Sequence, residues 1–148
     1  MSLKEKINSD IKSAMREKNQ GALRALRSVK SAILIAETDG SGRDVDDTAV
    51  IKIIQKLTKQ RKDSLSLYEE QNRPDLALKE EEELAVLEQF LPKEMGEDEL
   101  RIFLKNLVAD LNATGMQDMG RVMGEAQKRL AGRADGKAIS AVVRDLLK

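Results

Sequence analysis

The sequence predicts an all-α protein, with an N-terminal helical domain of about four helices followed by a C-terminal three-helix bundle. Three observations carry this expectation. Apolar residues recur at helical spacing along nearly the whole chain. Helix-start chemistry stands ahead of two of these stripes, at Ser2-Leu3-Lys4-Glu5 and at Pro74. The pattern breaks at Asp39-Gly40-Ser41-Gly42 and at Leu91–Gly96, where glycine and proline interrupt it.

Taken in order, Ser2 and Glu5 form a capping box, and Leu3, Ile7, Ile11, Ala14 and Met15 supply the stripe of a first helix. A second helix is expected over residues 21–37, with Leu23, Leu26, Val29, Ile33 and Leu34 facing inward. After the Asp39–Gly42 loop, a third helix over 46–70 carries Val50, Ile53, Ile54, Leu57, Leu65 and Tyr68. Pro74 suits the first turn of a fourth helix, which buries Leu76, Leu84, Leu87 and Leu91. Pro92 cannot continue it, so a boundary falls there between domains 1–92 and 97–148. Beyond the boundary three shorter helices are expected, over 97–112, 118–131 and 136–147.

Composition narrows the chemistry. The 148 residues include no cysteine, histidine or tryptophan. That removes disulfides, thiol nucleophiles, imidazole acid–base catalysis and the common zinc ligands. The run Glu80–Glu83 points around a helix and cannot converge on one metal ion. No catalytic residue, metal or cofactor is expected. The N-terminus lacks the apolar run of a signal peptide, and no stretch approaches a membrane span, so a cytoplasmic protein is the default expectation.

Lys plus Arg equals Asp plus Glu at 26 each, but the charges are unevenly placed. Residues 1–37 hold eight basic and four acidic side chains, 63–99 hold three and thirteen, and 100–148 hold nine and five. A neutral chain can therefore still present a basic face.

Some charges fall inside apolar stripes. Arg61 lies within the stripe of the third helix, Glu80 within that of the fourth, and Lys30 within that of the second, with Arg27 on its edge. An unpaired buried charge costs several kcal/mol, so these groups must find one another or reach a groove. A structural Arg61–Glu80 pair completed by Lys30 or Arg27 is preferred over an anion-binding cleft, because nothing nearby supplies a nucleophile or base.

The tail offers a different kind of signal. On a helix starting near Asp118, Met119, Val122, Met123, Ala126 and Leu130 share one face, and Met116 joins the core stripe. Gly120 and Gly124 fall on the exposed flank beside Arg121 and Lys128. Glycine costs a helix interior about 1 kcal/mol relative to alanine. Two glycines one turn apart and away from the core expose bare backbone that a large partner can approach. Lys137 and Arg144 share the outer face of the last helix and extend this surface toward a phosphate backbone. With only Tyr68, Phe90 and Phe103 as aromatics, base stacking is not the expected mode. RNA would be bound as a folded shape, and no DNA is expected.

The segments Met119-Gly120-Arg121-Val122-Met123-Gly124 and Ala134-Asp135-Gly136 resemble the tail of the B subunit of the tRNA-dependent amidotransferase. Ala25–Lys30, Lys59–Ser64, Arg73–Ala77 and Leu87–Pro92 resemble the stand-alone members of the same GatB/YqeY family. The resemblance implies an all-helical fold and a tail that helps hold tRNA. It associates the chain with a carbon–nitrogen ligase, yet the kinase, transamidation and glutaminase chemistry of that enzyme belongs to regions with no counterpart in this sequence. The expectation is a non-catalytic, tRNA-binding-type accessory module. The alternatives are a component acting in trans with amidotransferase subunits, and an adaptor that presents the same helix face to another protein.

Overall fold

The computed structural model describes residues 1–42, 44–130 and 132–148. Among them the chain forms seven α-helices and one short 3-10 turn, with no strand. It divides into two compact units, Met1–Leu91 and Pro92–Lys148.

In the first unit, α1 spans Leu3–Glu17 and α2 spans Gln20–Glu37. Ser2 and Glu5 close the capping box, with Ser2 Oγ accepting the Glu5 N–H at 3.2 Å. The α1–α2 connection is two residues long: Lys18 turns left-handed at φ 56°, and Asn19 caps α2 by accepting the Ala22 N–H. Gly40 and Gly42 turn the following loop at φ 83° and 67°. Asp46 then caps α3, Asp47–Glu70, and Asp47 accepts the Leu3 N–H at 3.0 Å, tying the starts of α1 and α3 together. Asn72, also left-handed at φ 57°, reverses the chain into α4, Pro74–Glu88, with Pro74 in its first turn. Ile7, Leu26, Val29, Val50, Ile54 and Leu87 form the centre of this unit's core.

The second unit packs α5 (Glu97–Asp110), α6 (Met119–Arg129) and α7 (Gly136–Leu147) around Leu104, Leu107, Val122, Ala126, Ile139 and Val143. Glu97, Asp98 and Glu99 place negative charge on the positive end of α5. Asp135 caps α7, accepting the Lys137 N–H at 2.6 Å. The helix expected to begin at 118 opens instead with a 3-10 turn, Met116–Asp118. Met116 in that turn is 46 % exposed, so it leaves the predicted core stripe, whereas Met119 and Met123 pack against the core. None of the described helices is long and apolar enough to cross a membrane.

Candidate functional site

Gly120, Gly124 and Lys128 follow one another a turn apart along α6, opposite the buried Val122 and Ala126. Both glycines are exposed, and a Cβ built on either would meet no atom within 4 Å. Neither therefore makes room for a neighbouring helix of the bundle. The space a side chain would fill at each lies open on the outer surface of α6.

The cations beside them differ in availability. Arg121 pairs with Asp118 through Nη2 at 3.3 Å. Asp118 also accepts the Thr114 N–H at 2.9 Å, and these donors hold its carboxyl below its ordinary range. Its job is to fix the 3-10 entry to α6, so Arg121 is partly committed to structure. Among the described residues, Lys128, Lys137 and Arg144 form no ion pair, while Arg129 is held by Glu125 at 2.9 Å. Lys137, Ala141 and Arg144 are exposed at i, i+4 and i+7 along one strip of α7, and the exposed Lys148 follows at i+11 as its C-cap residue. Lys148 was missed from the sequence, although its spacing from Lys137 and Arg144 carried the signal.

The expected ion-pair network is rearranged. Arg61 pairs with Glu83, not Glu80, at 3.7 Å between side chains only 15 % and 14 % exposed. Its Nη2 also donates to Ser28 Oγ at 3.0 Å, and its Nη1 donates to the Leu57 carbonyl at 3.2 Å. The cause is register. The α3 and α4 helices are antiparallel across the Gln71–Arg73 turn, and Arg61 precedes Glu70 by as many residues as Glu83 follows Pro74.

Glu80, partly buried beside this pair, is destabilised as an anion. Burial and then the charge of Glu83 raise its pKa, and Arg61 only partly opposes them. Arg27 and Lys30 stand exposed outside the network. The buried face of α2 runs through Leu23, Ala25, Leu26, Val29 and Ile33, and Lys30 at its rim is long enough to carry its charge to water. Ser28 and the buried Thr58 are the inward polar residues that sequence reasoning missed. This cluster sits in the first unit and holds three helices in register.

Comparison with known proteins adds three relatives, each named "Altered inheritance of mitochondria protein 41, mitochondrial". The chain is 30% identical over 146 residues to that of Pyrenophora tritici-repentis, covering 96% of this chain and 79% of the relative. It is 33% identical over 125 residues to that of Meyerozyma guilliermondii, covering 80% and 65%. The match to that of Lachancea thermotolerans is 32% over 107 residues, covering 71% and 57%. The chain thus spans less than two thirds of the length of the second and third relatives.

Their names overturn the expectation of a plain cytoplasmic protein. That expectation rested on a missing apolar signal run, and the segments that direct proteins to mitochondria are amphipathic and basic instead. The model of the family described as "Yqey-like protein" matches residues 4–147, and the chain belongs to that family.

Proposed function

We propose that this chain is a non-catalytic accessory module whose C-terminal unit binds tRNA through the outer faces of α6 and α7. The observation that carries the reading is the open space over Gly120 and Gly124, next to cations that no carboxylate occupies. Lys128, Lys137 and Arg144 supply the charge that phosphates need.

The glycines add a chemical preference. Past its first turn a helix has already used its N–H groups, and its carbonyls keep one free lone pair each. Bare backbone at Gly124 therefore welcomes a hydrogen-bond donor and offers nothing to a phosphate oxygen. A ribose 2′-hydroxyl is such a donor, and it is what distinguishes RNA from DNA.

The test is a titration of the full chain with a tRNA transcript and with a DNA of the same sequence, at several salt concentrations. Lys128→Ala should weaken binding to all tRNA sequences alike and reduce the salt slope by about 1. Gly124→Leu should weaken RNA binding while the melting temperature holds. If every variant keeps wild-type affinity, the face does not contact RNA and a protein partner takes its place.

A further inference from the structure

The second unit also carries a cleft, lined by none of Gly120, Gly124 or Lys128, that borders the Lys137–Arg144 strip of α7 at Ala141. This cleft, of about 320 Å³, opens between the start of α5 and the first half of α7. Its floor is apolar: Leu100 and Val142 are buried beneath it, and Ala138 and Ala141 form its exposed α7 edge. Its rim is acidic. Glu94 and Glu97 are exposed there, and among the described residues neither forms an ion pair. Asp135 adds a third carboxylate, although it is turned toward the α7 N–H groups, and Arg133 is the single cation of the lining. The wall is braced, because the Met95 N–H donates to the Arg133 carbonyl at 2.8 Å.

We propose that this cleft is a docking groove for a basic amphipathic helix of a protein partner. The volume lies at the low end of the roughly 300–1,000 Å³ typical of ligand pockets, room for a few apolar side chains of a peptide. Ala138 and Ala141, three residues apart, present a low edge that lets a second helix lie close. The carboxylates of the rim complement lysine or arginine flanking the apolar anchor, and they repel nucleic acid. An amphipathic cationic helix supplies both features in one segment, which is the helix-in-groove mode of recognition.

The experiment uses the full chain and three short synthetic peptides: a lysine–leucine amphipathic helix, its glutamate–leucine counterpart, and a lysine–serine peptide of equal charge. Binding is read by fluorescence anisotropy and by amide chemical shifts. The lysine–leucine peptide should bind saturably and shift Met95, Leu100, Ala138 and Ala141. Glu94→Lys should weaken it about fivefold, as expected from losing and then reversing an exposed charge pair. Ala141→Phe, which fills the groove from an exposed position, should abolish the saturable phase without lowering the melting temperature. Equal binding of the lysine–serine peptide would reduce the effect to bulk charge and overturn the proposal. Shifts confined to the acidic α4 helix, binding unchanged in both variants, or no binding at all would overturn it as well.

Discussion

At the scale of single residues, Arg61, Glu83 and Glu80 separate two roles that their sequence positions do not distinguish. Glu83 is ion-paired with Arg61 at 3.7 Å where both are largely buried, so Glu83→Gln should destabilise the chain by about 1–3 kcal/mol, the cost of leaving the Arg61 charge without its counter-ion. Glu80→Gln should be neutral or stabilising at neutral pH, since it removes an anion that burial and Glu83 both oppose. The sign follows from linkage. A carboxyl whose folded pKa is raised penalises the folded state only when ionised, so the penalty is absent below its unfolded pKa. It grows as pH rises toward the folded pKa and is complete above it. Urea melts of the two variants at pH 4 and pH 7 check this. The gain from Glu80→Gln should vanish at the lower pH, and a Glu80→Gln loss as large as that of Glu83→Gln at neutral pH would restore Glu80 as the structural partner.

At the scale of helices, much of the architecture was legible because caps and breakers are local chemistry. Ser2 with Glu5, the glycine-rich loop and Pro74 each act on backbone groups within a few residues, and α1, α3 and α4 begin within a residue of where those signals put them. The start of α6 was less legible. A helix is expected to start near Asp118, but the Asp118 carboxylate accepts the Thr114 N–H behind it and the helix is entered through a 3-10 turn. The partner of Arg61 was missed for another reason: periodicity gives the face of a helix, whereas pairing needs the axial register across a turn. That register was available from the spacing around Gln71–Arg73.

On α6 itself, glycine-to-alanine changes isolate backbone propensity from packing. With no atom within 4 Å of either built Cβ, Gly120→Ala and Gly124→Ala should each raise stability by up to about 1 kcal/mol. Thermal melts measure this, and a loss of stability in either variant would mean that the glycines serve the fold and not an outer surface.

At the scale of the whole molecule, each unit has its own hydrophobic core, one built from Ile7 to Phe90 and the other from Leu100 to Leu147. The chemistry is expected to follow the same division, with charge for tRNA in the second unit and no turnover in either. Purified chain with glutamine, ATP and Glu-tRNA should yield no amide. Product formed without other subunits would overturn the non-catalytic reading, and product formed only after adding a glutaminase partner would favour action in trans.

Independent cores also mean that the second unit should fold alone, provided its first residues are kept. Met95 packs against that core and its N–H bonds to Arg133, so residues 92–96 belong to the bundle and are no free linker. A fragment of residues 92–148 should melt cooperatively. One of residues 97–148 should be less stable by about 1–3 kcal/mol, having lost a backbone hydrogen bond and the partial burial of one apolar side chain. Circular dichroism melts of the two fragments decide the matter. Equal stability would place the boundary at 97 and leave Met95 without a structural role, and a disordered 92–148 fragment would show that the bundle depends on the first unit.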